Sequence, residues 1–272
     1  MLRVALALLA LLVPGMALAQ AVQCSPPAQM PRPRPVQPGT GEAGRIMPIG
    51  SYTLALSWSP QYCSTARGSD SAFQCKGRNG RFGFVLHGLW PDGVGRTWPQ
   101  FCRKADLLPR EVIRQNLCMT PSAQLLQHEW AKHGTCMASK PELYFDLARA
   151  FYQSMRFPDM AALARRDNLT VGQFTDAFVR ANRRLRPDMI RVRTTRGNWL
   201  SEIWICMDRA LEFARCPAGK DGAKGAAYLR IEPGPAMPRP SPARQAPVTP
   251  ARKPGLILNL DPNTQPLKDG GR

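Results

Sequence analysis

Histidine is scarce in this 272-residue chain: His87, His128 and His133 are the whole supply. Acidic residues are also few, 19 against 37 Lys and Arg, which leaves a formal charge of +18. Such a charge attracts a polyanion at long range, but it speaks to encounter rate and shows no binding site. After residue 19 no apolar run approaches the ~18 residues that would cross a bilayer, so a soluble product is expected. Paired CxxC spacings are missing, which argues against structural zinc, and no internal repeat divides the chain.

What is present at the N-terminus reads as a secretory signal. Arg3 precedes an unbroken apolar run from Val4 to Val13, and Ala17-Leu18-Ala19 supplies the small residues of a cleavage site. The mature chain is then expected to start at Gln20, exported to the periplasm or beyond the cell. Eight cysteines remain, Cys24, Cys63, Cys75, Cys102, Cys118, Cys136, Cys206 and Cys216. An even number in an exported chain favours disulfides, although sequence alone does not choose the pairing. The remaining length suits one substantial core, and a monomer is expected.

Residues 20–49 read as a leader, Pro- and Arg-rich between Pro26 and Pro48, with ordered structure beginning near Gly50. Tyr52–Trp58 and Arg81–His87 have strand character, so that His87-Gly88 falls where a strand gives way to a loop. Helical patterns follow over Arg110–Leu117 and from Ala123 to about His133. Ser122 is placed to cap the second of these and Gly134 to end it. Pro141–Met155 is a further helix, and Thr170 with Gln173 resembles a capping box ahead of a helix to about Leu185. Strands return at Met189–Arg193 and Trp199–Met207, with a third candidate at Ala226–Ile231. Residues 233–254 turn to Pro, Ala and Arg, a flexible segment, before a last strand candidate at Leu256–Leu260. Strands early and late with helices between them indicate an α+β fold, a mainly antiparallel sheet packed with helices, in one domain over residues 50–272.

The chemistry concentrates in two stretches, Phe84-Val-Leu-His87-Gly-Leu-Trp90-Pro91 and His128-Glu129-Trp130-Ala131-Lys132-His133-Gly-Thr-Cys136. On a helix Glu129, Lys132 and His133 share one face, and His128 borders it. An HExxH zinc helix needs histidines four apart, whereas His128 and His133 are five apart and about 140° around the axis. No metal or cofactor is therefore expected. Three imidazoles, a carboxylate and a lysine suit RNA cleavage: a base takes the ribose 2′-OH proton, the alkoxide attacks phosphorus, and an acid protonates the departing 5′ oxygen. Lysine and a protonated histidine can stabilise the charge growing on the phosphoryl oxygens. DNA lacks the internal nucleophile.

FVLHGLWPD and HEWAKHGTC together resemble the two active-site segments of the ribonuclease T2 family, with support from Trp199-Leu-Ser-Glu-Ile-Trp-Ile-Cys206-Met-Asp208. The resemblance covers roughly residues 51–231. It implies His87 as general acid and His133 as general base, His128 as a phosphate-binding group, and Glu129 and Lys132 as stabilisers of the pentacoordinate transition state. The residues by themselves leave open which imidazole is acid and which is base. The resemblance also places Trp90 and Asp92 in a base pocket, with Trp98 as a further wall. It implies disulfides Cys63 to Cys75, Cys206 to Cys216 and Cys102 to Cys136, which leaves Cys24 and Cys118 for each other. The expected activity is a metal-independent endoribonuclease on single-stranded RNA with broad base preference, passing through a 2′,3′-cyclic phosphate to 3′-phosphate ends. Two alternatives stand beside it: a basic RNA or cell-envelope binding protein without turnover, and a metal-dependent phosphodiesterase.

Overall fold

The strand at Tyr52 is apolar on alternate residues and small or polar between them, and it becomes the centre of the sheet. In the computed structural model, which describes residues 21–234, β2 (Ile49–Trp58) pairs antiparallel with β4 (Phe84–Gly93) on one side and β6 (Leu200–Met207) on the other. Strand β5 (Ile190–Thr194) closes the far edge, giving the order β4-β2-β6-β5. Two short strands, β1 (Ala21–Cys24) and β3 (Gly80–Phe82), form a separate ribbon. The helices are α1 (Ser59–Thr65), α2 (Ala72–Cys75), α3 (Arg110–Asn116), α4 (Ala123–Lys132), α5 (Pro141–Ser154), α6 (Met160–Ala164) and α7 (Val171–Ala181). The fold is therefore α+β, an antiparallel sheet packed with helices.

One face of the sheet is apolar. Leu54, Leu56, Phe84, Leu86, Leu89, Ile203 and Ile205 join Leu126, Phe145, Phe174 and Phe178 from the helices in one buried core. Tyr152 of α5 donates from its hydroxyl to the Phe84 carbonyl at 2.8 Å, fastening helix to sheet. The other face carries Ser57, Trp90, Asp92, Glu202 and Trp204, all partly exposed. Function gathers there.

Several expectations need correction. His87 does not end a strand. Gly83 interrupts the run instead, and β4 then continues to Gly93. Within it Leu56 faces Leu86 and Ala55 faces Gly88, so His87 is the extra residue of a β-bulge. Ordered structure starts well before Gly50, because Cys24 is bonded to Cys118 and the leader is tied down by Arg34 with Gln124 and Asp70 and by Glu42 with Lys132. Helix α7 stops at Ala181 rather than near Leu185: the Asn182 amide donates to the Phe178 and Arg156 carbonyls, taking the place of the next helical turn. Ala226–Ile231 is not a strand. Its amides go to separate partners, Ala227 donating to Lys224, Leu229 to Leu169 and Arg230 to Asn198, so no continuous ladder forms.

Gly134 follows α4, but not as a left-handed cap. It opens a short 3-10 turn, Gly134–Cys136, and a Cβ there would lie 2.4 Å from the Trp130 ring. Close packing, not backbone freedom, demands glycine. Ser122 caps α4 by accepting from the Leu125 amide, and Thr170 with Gln173 forms a full capping box on α7. The cysteines pair as Cys24–Cys118, Cys63–Cys75, Cys102–Cys136 and Cys206–Cys216. The signal segment, the stretch beyond Gly234 and the candidate strand at Leu256–Leu260 lie outside the described residues. Among the described residues no helix is long and apolar enough to cross a membrane.

Candidate active site

The site forms where α4 meets the bulge of β4. Helix geometry turns Glu129 toward the sheet, where it is 2% exposed, and the absence of a side chain at Gly88 lets it come against the strand. Trp90 Nε1 donates to Glu129 Oε2 at 2.8 Å, and Glu129 Oε1 lies 3.6 Å from His87 Nε2. On the other side of the imidazole, His87 Nδ1 is 2.6 Å from Glu202 Oε1. Glu202 also accepts from Ser57 Oγ at 2.8 Å and from Trp204 Nε1 at 2.7 Å. An anchored carboxylate of this kind fixes the ring and places the Nδ1 proton, leaving Nε2 toward the Glu129 carboxyl.

Trp90 ties the cluster together. Its ring lies 5.0 Å from that of His87, 5.7 Å from that of His133 and 5.4 Å from that of Trp204. The two imidazoles named by the sequence thus both lie against one indole. His133 is buried, and its Nδ1 has no hydrogen-bond partner among the described residues. His128 and Lys132 stand on the same stretch of α4, each partly exposed, and Lys132 Nζ donates to Glu42 Oε1 of the leader at 2.7 Å.

These surroundings drive the two histidines apart. Burial disfavours the charged form of His87, but the Glu202 hydrogen bond and the charges of Glu129 and Glu202 outweigh it, so its pKa lies above 6.5. His133 is buried without such compensation and feels the positive charges of Lys132, His128 and His87, which hold it well below 6.5. His128 is lowered by burial and then by Lys132. Burial raises Glu129 to about 7, with His87, Trp90 and Lys132 opposing. Burial also works upward on Glu202, but the hydrogen bond and charge of His87 leave it below the usual carboxylate value.

Among the described residues neither Asp92 nor Trp98 is hydrogen-bonded to this cluster. Asp92 Oδ2 accepts from Thr53 Oγ1 and from Lys220 Nζ, each at 2.7 Å. Trp98 is exposed, bonds Gln100 Oε1 through its indole nitrogen and lies under the Arg45 guanidinium. Among the described residues no three His, Cys, Asp or Glu side chains gather where they could hold a metal ion. Sequence reading missed Glu202, Ser57, Trp204, Lys220 and Glu42. For Glu202 a signal existed: it is the one carboxylate within the alternating strand Leu200–Met207, on its partly exposed face.

The model of the ribonuclease T2 family matches residues 49–216. A probable ribonuclease of Haemophilus influenzae is 32% identical over 188 residues, 62% of this chain and 61% of that protein. A ribonuclease of Aeromonas hydrophila is 35% identical over 127 residues, 46% of this chain and 54% of that one. The chain thus spans less than two thirds of either relative. Among solved structures, RNase NT in complex with 5′-AMP superposes with a TM-score of 0.53 at 21% identity, over 69% of this chain and 100% of that one. The RNase-related protein from Calystegia sepium gives 0.53 at 23% identity, over 68% and 98%. Such likenesses speak to the shared fold, and the match over residues 49–216 settles the family: the chain belongs to the ribonuclease T2 family.

Proposed function

We propose that the chain is an exported, metal-independent endoribonuclease that cuts single-stranded RNA by internal transesterification. The observation that carries this reading is the opposite bias of two histidines around Trp90, His133 held neutral and His87 favoured as the cation. A neutral imidazole takes a proton and a charged one gives it, which assigns His133 as base and His87 as acid. His133 removes the 2′-OH proton, the 2′ oxygen bonds to phosphorus, and the bond to the 5′ oxygen breaks as that oxygen receives the proton of His87. The products are a 2′,3′-cyclic phosphate and a free 5′-OH. Water then adds with the roles exchanged, leaving a 3′-phosphate.

Charge on the phosphoryl oxygens falls to Lys132 and His128, with the Glu129 carboxyl beside them. With a pKa near 7, Glu129 is protonated under mildly acidic conditions and can donate to a phosphoryl oxygen instead of repelling it. Trp90 and Asp92, with Trp98 outside them, are the base-binding candidates, and stacking on an indole tolerates every base. Residues from Gly50 onward are read as the catalytic unit and residues 20–49 as a leader fastened to it. Four disulfides agree with an oxidising compartment, periplasmic or extracellular.

The test is a defined RNA oligonucleotide incubated with the purified protein in EDTA, with products read by mass spectrometry. Transient 2′,3′-cyclic ends, an uncut DNA counterpart, and loss of cleavage in both His87→Ala and His133→Ala are expected. An RNA-binding protein without turnover would leave the oligonucleotide intact and overturn the reading.

A further inference from the structure

Asp92 sits on the same face of the sheet as Trp90, but its carboxylate is already engaged. Oδ2 accepts from both Thr53 and Lys220, while Oδ1 takes no hydrogen bond among the described residues. Lys220 Nζ bonds Asp92 Oδ2 and Thr53 Oγ1, which uses two of the three ammonium protons. Both side chains keep some exposure, 16% for Lys220 and 18% for Asp92. The pair therefore offers neighbouring acceptor and donor functions at one edge of the site.

Lys220 is held there by its own loop. The Cys206–Cys216 disulfide closes the loop root, Gly219 turns the chain with φ of 85°, and Arg191 Nε donates to the Lys220 carbonyl at 2.8 Å. Arg193 donates to the next carbonyl, that of Asp221, at 2.6 Å. The ammonium also lies 5.8 Å from the Trp204 ring, which packs on Trp90. These ties position the nitrogen in advance of any ligand.

We propose that Lys220 is a specificity-determining residue that makes base reading broad by converting the Asp92 carboxylate into a paired acceptor and donor. This rests on the reading of Asp92 as a base contact. A bare carboxylate asks only for N–H groups. It suits guanine, which presents two on adjacent atoms, and adenine and cytosine, which present an amine. It repels uracil, whose single imino N–H stands between two carbonyls. An acceptor beside a donor is different, because every base carries such a couple on its pairing edge: N–H with a ring nitrogen in adenine and cytosine, N–H with a carbonyl in guanine and uracil.

The experiment measures kcat/KM for four dinucleotide substrates that differ only in the base 5′ of the cut, in the full chain and in Lys220→Met, Lys220→Arg and Asp92→Asn. Near-equal values are expected for the wild type. In Lys220→Met the guanosine-to-uridine ratio should rise roughly tenfold, the scale of one hydrogen bond to a charged group, through KM rather than kcat, and Lys220→Arg should restore it. Should Lys220→Met melt, Lys220→Gln retains a neutral donor and should give an intermediate ratio. Unchanged ratios in Lys220→Met while Asp92→Asn alters them overturn the role of Lys220 alone. Unchanged ratios in both remove Asp92 from the base site, and no cleavage by the wild type removes the ribonuclease reading itself.

Discussion

Replacing Gly88 by alanine should disable the proposed activity through a single methyl group. The added Cβ would stand 1.9 Å from Glu129 Oε2 and 2.5 Å from Trp90 Nε1, in a strand whose backbone is paired to β2. Carbon and oxygen rest no closer than about 3.3 Å, so the carboxylate has to retreat by roughly 1.4 Å. That movement breaks the Trp90–Glu129 hydrogen bond, worth about 1.5–3 kcal/mol above pH 7, where the carboxyl is ionised. A displacement of about 1 Å in a catalytic group costs on the order of 100-fold in rate. We expect kcat/KM on a fluorogenic RNA to fall by about that factor, and the melting temperature by roughly 5–10 °C. The carboxylate's share can be isolated with Glu129→Ala: in that background only the contact with the Trp90 indole nitrogen remains, so Gly88→Ala should cost less stability than it does in the wild type. Normal turnover in the single variant, or fully additive destabilisation in the double, would refute the steric argument.

The pH dependence of kcat/KM should be bell-shaped, with an acidic limb well below 6.5 set by His133 and an alkaline limb above 6.5 set by His87. Glu202→Gln removes the anion that holds His87 charged, so the alkaline limb should move to lower pH and activity at pH 7.5 should drop about tenfold, read from initial rates across the pH range. Because Glu129 is raised in the folded state, its contribution to stability is present below about 4.5 and lost as pH rises through about 7. Glu129→Gln should therefore gain stability on the wild type between pH 5 and 8, by at most roughly 3 kcal/mol in urea titrations. His133 acts in the opposite sense, its stabilising effect being complete above 6.5 and fading as pH falls, and it is common to both proteins. Cys118→Ser opens a cross-link between residues 94 apart and should cost about 2–4 kcal/mol while leaving kcat intact, with fast amide exchange at β1.

Elements whose signals are local were legible. Ser122 and the Thr170–Gln173 box announce α4 and α7 because capping is decided within four residues, and the clustering of Glu129, Lys132 and His133 follows from the helical period alone. What escaped depends on distant partners. β1 exists because Gln23 and Cys24 meet β3, and the irregular leader is held by side chains far along the chain, Asp70, Gln124 and Lys132 among them. Glu202 reaches His87 across two strand pairings that no window of sequence contains. The run Phe84–Leu89 is apolar on nearly every residue, which hid its irregular pairing.

The extra residue in β4 also fixes the phase of the strand. Before it, the even positions Phe84 and Leu86 face inward beside Trp58 and Leu56; after it, the odd positions Leu89 and Pro91 take over beside Leu54 and Tyr52. Excising one residue to make the ladder regular would turn one half of the strand inside out, sending Leu89 toward solvent or Trp90 into the core. The imidazole is thus not an ornament on a finished strand but the hinge of its inside–outside pattern, and shape and chemistry cannot be altered separately at that point.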